Sequence, residues 1–450
     1  MKIVVIGAGP AGLGAAVRLE ELGADWLVLE RDVLPGGLSR SYKHEGFTWD
    51  LGGHVVFSHY PDFDKMLDSV IAEDSWLQHS RNSFVRCLDR WVPYPFQNNI
   101  NCLPHKARQE CLDGLEAAAL KPSGNIKTFQ DWIDQVAGKG ISRLFMTPYN
   151  YKVWAYPPSL LSADWLGDRV ARPDLDRIKR QCATRKVLDK WGPNRSFRYP
   201  LFGGTGAIWN SLASMLPASR MHFGTSVTSI NTEDKRLQLS TGEIVNYDFL
   251  VSTMPLDQLV DMAGLNSLHE QAGLLMYTSS WIIGVGVKGP IPKWASSLTW
   301  LYFPDQEDPF YRVTVLSNYS PENAPSGCYS LLAEISESSK KPVVSTTLVS
   351  ECLTRLKACG LIEKENSICS TWMKRVEYGY PVPGIQRDAA LSVLLPALAE
   401  KDVYSRGRFG AWKYEVGNMD HSYAQGQEIA DYLMESKEET TLTYPEKVNG

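Results

Sequence analysis

No stretch of this chain approaches the ~20 consecutive apolar residues that a membrane-spanning helix needs. No basic block marks a nucleic-acid or membrane surface, and no internal repeat or low-complexity tract interrupts the chain. Eight cysteines are present, at 87, 102, 111, 182, 328, 352, 359 and 369, yet none forms a CxxC pair or stands at metal-ligand spacing from a histidine. That pattern excludes a zinc module and a small disulfide scaffold; it suits reduced core thiols in a cytoplasmic protein, and no metal is expected. The apolar opening, Met1 to Leu19, lacks the basic leader and cleavage motif of a signal peptide, so it reads as folded structure. A net charge of −5 with mixed signs predicts neither nucleic-acid nor membrane partners. At 450 residues the chain exceeds the usual size of one core, so two or three packed units are expected.

What the chain does have is glycine in three ordered signatures. Gly7-Ala8-Gly9-Pro10-Ala11-Gly12 follows a short apolar strand, Lys2 to Ile6, and opens a helix with proline in its first turn, where a missing N–H costs nothing. Glycines there let backbone amides and the positive helix end reach a pyrophosphate. Trp26 to Glu30 reads as the second strand, and a carboxylate at its end is placed for an adenosine ribose. Gly36-Gly37-Leu38 and then Gly52-Gly53-His54 follow. One such motif alone is equally consistent with a tight strand-to-helix turn; three in order, with Glu30 between the first two, specify FAD.

Further along, Phe129, Trp132, Ile133 and Val136 recur at helical spacing behind a Thr128/Asp131 capping box, within a helical region from about Leu103 to Arg185. Short strands are expected from Phe223 to Asn246 and a buried one at Tyr247 to Thr253. Four more, Trp281 to Val287, Leu298 to Phe303, Tyr311 to Tyr319 and Tyr329 to Ile335, suggest an antiparallel sheet. Strand parity puts Trp300 with Tyr302 on one face and Arg312 with Thr314 on one face of the next strand; an arginine on an apolar strand wants an anion. Gly203-Gly204-Thr205-Gly206 reads as a structural turn, Gly417-Asn418 precedes a final helix from about His421 to Met434, and the last dozen residues are expected to fray.

Several longer stretches carry a resemblance: Gly52 to Tyr60, Trp91 to Asn99, Pro148 to Trp154, Trp191 to Asn194, Gly407 to Gly410 and Tyr414 to Asn418. On these the chain resembles the UDP-galactopyranose mutases of the eukaryotic type along nearly its whole length. The resemblance implies an α/β fold: a Rossmann-like FAD-binding domain (1–90, 195–260, 400–437), an inserted helical domain (100–194), an antiparallel-sheet substrate domain (91–99, 261–399) and a tail (438–450). It implies a net non-redox interconversion of UDP-galactopyranose and UDP-galactofuranose, in which N5 of reduced FAD attacks the anomeric carbon. Arg169 and Arg312 match substrate arginines at the diphosphate and sugar, where a guanidinium fork binds phosphate as lysine cannot. Tyr302, Tyr380, Tyr414 and Tyr319 match hydroxyl donors; Tyr94, Gln97, Phe145, Asn150 and Trp154 match uridine contacts. Asn194, Arg408 and His54 match positions near galactose and flavin, with Val227, Gly417 and Asn418 on the flavin side. NADPH is the implied reductant, with His59, Arg81 and Ser83 at its adenosine end.

Two glycine-containing segments, Leu166 to Asp174 and Lys190 to Ser196, are expected to close over bound UDP-sugar. The FAD signatures also suit a flavin oxidase or dehydrogenase of the amine-oxidase-like class, a mutase for another UDP-pyranose, or a binding flavoprotein without turnover. A homo-oligomer is allowed but not required.

Overall fold

In this computed structural model, residues 1–120, 124–184 and 192–448 are described. Lys2–Ile6 and Asp25–Leu29 are apolar almost throughout because they lie inside a five-stranded sheet covered on both faces. The strand order is Val403–Ser405, Phe249–Ser252, Lys2–Ile6, Asp25–Leu29, Met221–His222, with every pairing parallel. Helix Pro10–Glu21 crosses from the first strand to the second and packs on the final long helix, Met419–Glu435. That contact is glycine-made: a Cβ on Gly14 would lie 2.3 Å from the Tyr423 carbonyl oxygen, and one on Gly426 2.0 Å from that of Ala11. The two ends of the chain thereby build one side of the nucleotide site.

The helical region forms as the spacing predicts. Thr128 accepts from the Asp131 amide at 3.0 Å while Asp131 accepts from that of Thr128 at 2.9 Å, starting helix Phe129–Val136 on buried Phe129, Trp132 and Ile133. Arg185, the expected end of this region, lies outside the described residues.

A seven-stranded sheet forms the other half, in the order Ser367–Pro381, Tyr277–Lys288, Cys328–Glu337, Arg312–Val315, Trp300–Tyr302, Phe84–Cys87, Arg90–Pro93. Its pairings are antiparallel except that of Trp300–Tyr302 with Phe84–Cys87. All four expected strands are present, but the second spans only Trp300–Tyr302 and the third only Arg312–Val315, after which Leu316–Asn318 turns as a 3-10 helix. Three more were missed: Ser367–Pro381 is a largely exposed edge strand in which Ile368, Trp372, Val376, Tyr378 and Tyr380 alternate with mostly polar residues, the series being interrupted at Ser370 and Lys374, and the pair Phe84–Pro93 is joined to the sheet by distant chain. Trp300 faces Thr314 and Tyr302 faces Arg312, so the parity argument holds across both strands.

As far as residue 448, where the described part ends, the tail is not frayed. Arg406 and Glu439 form a two-pronged ion pair at 2.5 Å, and fully buried Thr441 bonds Glu428 at 2.8 Å and the Tyr60 hydroxyl at 2.8 Å. Polar side chains anchor it, a signal that hydrophobic patterning does not register.

Candidate active site

The cofactor cradle is made of backbone. Gly7 turns at φ +101°, and a Cβ on Gly12 would stand 1.9 Å from its carbonyl oxygen. Gly36 donates to the Ala8 carbonyl at 2.8 Å, and Gly37 lies so close to Gly9 that an added Cβ would be 3.3 Å from the Gly9 Cα. Side chains are thus absent where the helix Pro10–Glu21 presents its first amides, the donor set a pyrophosphate requires, and the residues fit FAD. Glu30 ends the second strand, its two oxygens accepting from the Ala8 and Asp32 amides at 2.7 and 2.8 Å; each keeps a lone pair for a ribose hydroxyl. Leu38 is half-buried in the short turn Gly37–Ser39, and Val227 is buried in the core packed beside the first two strands. The turn Gly203 to Gly206 packs on Asp50, which accepts from Ser41, Tyr199 and the Thr205 amide; burial pushes that carboxyl up to about 6.

The third signature lies flat against the seven-stranded sheet. A Cβ on Gly53 would meet Thr314 Oγ1 at 2.1 Å, Trp300 Nε1 donates to its carbonyl at 3.1 Å, and its amide donates to Glu334 at 3.1 Å. Glu334, which the sequence reading missed, organises this junction. Its carboxylate takes both Nε and Nη2 of Arg312, at 2.6 and 2.7 Å, and the Tyr311 hydroxyl at 3.1 Å. Burial opposes both charges of the pair, but each partner outweighs it: Arg312 stays protonated and Glu334 ionised. The signal that could have found Glu334 is an acid within the largely apolar run Tyr329 to Ile335.

Arg408 is held differently. It donates to the Gly417 carbonyl at 3.0 Å and to that of Gly379 at 3.3 and 3.4 Å, and lies 4.9 Å from the Tyr380 ring centre and 5.6 Å from that of Tyr414. Burial pulls its pKa down, and the groups that oppose this are tyrosines rather than carboxylates. Arg169 also bonds a carbonyl, that of Glu415, with its guanidinium 5.5 Å from the Tyr414 ring. Two cations therefore converge on Tyr414 with backbone oxygens as hydrogen-bond partners, an arrangement that suits an anion. Behind it, Arg387 grips the Glu415 carboxylate at 2.8 Å through both Nη atoms. Tyr319 is fully buried among His79, Phe197 and Tyr199, its hydroxyl without a hydrogen-bond partner.

Aromatic rings continue from the tyrosines toward the expected uridine end. Tyr94 lies 5.1 Å from Tyr302, and Tyr302 meets Tyr149 edge-on at 5.6 Å. Gln97 donates to the Ala171 carbonyl at 2.7 Å and leaves its buried Oε1 unpartnered, an acceptor for an amide-type N–H. Asn150 donates to the Met146 carbonyl at 2.7 Å. Two expected contacts sit a layer back: Phe145 is sandwiched between Phe96 and Tyr149, and Trp154 packs edge-on behind Tyr380 and Tyr414. As core aromatics they shape the wall rather than form it. Of the second loop segment, Lys190 and Trp191 lie outside the described residues; Asn194 accepts from Arg81, whose guanidinium is 4.9 Å from the Tyr94 ring.

The three residues expected together at the NADPH adenosine have different surroundings. Arg81 faces Tyr94 and Asn194; Ser83 is buried with its hydroxyl 3.0 Å from that of Thr299; His59 bonds Asp420 at 2.7 Å in the first turn of the final helix, where Asn418 holds the N-cap position without a side-chain capping bond. Burial works against ionised Asp420, but hydrogen bonds from His421 and His59 hold its pKa well below the usual range. His59, Asp420 and His421 bring ligand-type atoms within 4.8 Å of one another, yet the positive helix end and the field of Arg169 at His421 disfavour a cation there. His54 has a buried, unpartnered Nδ1, and burial pushes its pKa down to about 4, against the pull of Glu334. It presents a neutral imidazole beside the glycine pair.

Among the described residues no helix is long and apolar enough to cross a membrane. The family described as flavin containing amine oxidoreductase matches residues 10–434. A crystal structure of reduced UDP-galactopyranose mutase superposes on 100% of this chain and 97% of that one, with a TM-score of 0.97 and 46% identity. A putative protoporphyrinogen oxidase from Exiguobacterium sp. 255-15 (TM-score 0.74, 16% identity, 97% of this chain and 99% of that one) shares the fold alone. So does cyclohexylamine oxidase from Brevibacterium oxydans IH-35A (TM-score 0.68, 15% identity, 97% and 99%). Curated relatives match over short stretches. A prolycopene isomerase of Daucus carota is 50% identical over 54 residues, 12% of this chain and 9% of that protein; an uncharacterized protein of Methanothermococcus thermolithotrophicus is 52% identical over 56 residues, 12% and 54%. The matches therefore span about half or less of those proteins' length.

Proposed function

This chain belongs to the flavin containing amine oxidoreductases and, within them, to the UDP-galactopyranose mutases, and from that premise we propose how its residues serve a flavin-dependent interconversion of UDP-galactopyranose and UDP-galactofuranose. The observation that carries the reading is the pair Arg169 and Arg408, two guanidiniums bonded to carbonyls around Tyr414. Reduced FAD, when bound, supplies the nucleophilic N5 for the anomeric carbon.

The protein's share is binding and electrostatics. Arg169 and Arg408, with the hydroxyls of Tyr380 and Tyr414, offset the charge that grows on the diphosphate as it leaves the sugar. Arg312, already neutralised by Glu334, serves as a fixed donor through its remaining Nη1 rather than as added charge. Tyr94 offers the uracil a ring face, and Gln97 Oε1 an acceptor for its N–H. His54 stays neutral beside the flavin, and the amino end of helix Met419–Glu435 favours the anionic reduced form. When Leu166 to Asp174 and the segment around Asn194 close on the nucleotide, they exclude water.

NADPH is the reductant in this reading, with its 2′-phosphate meeting Arg81. The eight unpaired thiols support a cytoplasmic location, and the division into FAD-binding, helical and sheet domains is kept with one change: residues 84–90, which pair within the seven-stranded sheet, go with the sheet domain rather than with 1–90. The deciding experiment is anaerobic incubation of the FAD-loaded enzyme with UDP-galactofuranose, with and without dithionite, followed by nucleotide-sugar chromatography. Conversion to UDP-galactopyranose only after reduction, with no stoichiometric use of reductant, is the expected result. A fully reduced enzyme that leaves the substrate unchanged would refute it.

A further inference from the structure

Lys152 stands outside the site described above, yet it is the least expected side chain near it. It lies in helix Thr147–Trp154 and is 4% exposed, a depth at which lysine is rare. Its ammonium donates to the carbonyls of Asp305 and Asp308, both at 2.8 Å. These residues belong to the connection between strands Trp300–Tyr302 and Arg312–Val315, so the two ends of the gripped loop are Tyr302 and Arg312, which face each other across the hairpin.

The helix that carries Lys152 also carries Tyr149 and Asn150, and the Tyr149 ring meets that of Tyr302 at 5.6 Å. Other bonds fix the ends of this strut. Ser336 Oγ donates to the Lys152 carbonyl, Ser338 Oγ donates to that of Ala155 at 2.7 Å, and Arg355 holds the Asp308 carboxylate at 2.7 Å from the other side. Burial pushes the Lys152 pKa down to about 7, with Asp308 opposing the shift. A group so costly to bury is a poor choice for mere packing, which an apolar side chain of the same length would supply without that penalty. What a methionine could not supply is the pair of N–H bonds that sets the separation of helix and hairpin.

We propose that Lys152 is a positioning residue of the UDP-sugar site, holding the helix that bears Tyr149 and Asn150 at a fixed distance from the hairpin that bears Tyr302 and Arg312. The inference rests on the proposed reading of that site. It predicts a defect in nucleotide binding rather than in flavin chemistry, because the strut acts on the substrate wall and leaves the glycine cradle untouched.

The test uses FAD-loaded Lys152→Met, Lys152→Arg and Arg312→Lys enzymes, reduced, with UDP-galactofuranose. Lys152→Met is expected to keep wild-type FAD content and flavin spectrum, with KM raised about tenfold or more and kcat within about threefold. A purely structural lysine would lower the melting temperature and leave KM alone, so wild-type KM in the folded, FAD-loaded variant overturns the proposal. Should Lys152→Met not fold, Lys152→Arg carries the test: the longer, planar guanidinium cannot take the ammonium's place between the two carbonyls without shifting helix against hairpin, and the same KM rise is expected, its absence again overturning the role. The Arg312→Lys control separates the two failures. Wild-type kinetics there would sink the reading of the site itself, whereas a strong defect there beside an unaffected Lys152 series would sink this inference alone.

Discussion

Arg312 and Glu334 act as one unit. The carboxylate binds two guanidinium nitrogens and, through the Gly53 amide, the loop that carries His54, so removing either partner leaves the other buried and uncompensated. Arg312→Lys and Glu334→Gln are each expected to lower kcat/KM by about 10- to 100-fold, and the double variant to be little worse than the poorer single one. Multiplying losses in steady-state kinetics would show that the two act separately. His54 gives a second prediction. Its folded pKa of about 4 lies below the ordinary 6.5, so it stays neutral from pH 5 to 8, and His54→Asn should leave the shape of the kcat/KM–pH profile unchanged in that range. The linkage sign follows: the unfolded chain takes up the proton first, so the His54 contribution to stability is present above pH 6.5 and lost as pH falls toward 4. Arg312 could be singled out because it interrupts an apolar strand. The same logic applied to Glu334 would have found its partner, whereas the Arg81–Asn194 bond joins residues with no shared local pattern.

At the level of elements, glycine spacing carried most of what could be read in advance, because a missing side chain is a local requirement visible in one chain. The cradle around Gly7, Gly9 and Gly12 was legible for that reason, as was the capping box at Thr128. The edge strand Ser367–Pro381 was not: Ile368, Trp372, Val376, Tyr378 and Tyr380 alternate along it, but polar Ser370 and Lys374 interrupt the series and two register shifts break its pairing. The docked tail was missed because it is held by polar anchors at Glu439 and Thr441. Gly426 belongs to a third class, a glycine inside a helix whose purpose emerges only from the partner helix. Gly426→Ala is expected to force apart helices Pro10–Glu21 and Met419–Glu435, destabilising the fold by about 2–3 kcal/mol and lowering FAD retention together with the melting temperature. Wild-type stability with full FAD content would mean that the helices can separate at no cost.

For the molecule as a whole, the distribution of cations decides between the classes of chemistry that share this architecture. An amine substrate is itself cationic, and a site that converges Arg169 and Arg408 on Tyr414, with Arg81 bordering the same row of aromatic rings, repels it. A sugar nucleotide brings two negative phosphates and is drawn in. The same field bears on reduction. Arg81 lies over Tyr94 and bonds Asn194, so the guanidinium assigned to the NADPH 2′-phosphate belongs to the neighbourhood assigned to uridine. Reductant and substrate should therefore exclude each other rather than bind side by side. Stopped-flow reduction of the oxidised enzyme by NADPH is expected to be competitively inhibited by UDP, with unchanged limiting rate at saturating NADPH. Arg81→Ala should weaken NADPH binding about tenfold or more while leaving reduction by dithionite untouched, since only the former requires that cation. Noncompetitive inhibition by UDP, with NADPH affinity unaltered in Arg81→Ala, would place the reductant elsewhere and release Arg81 to the uridine end alone.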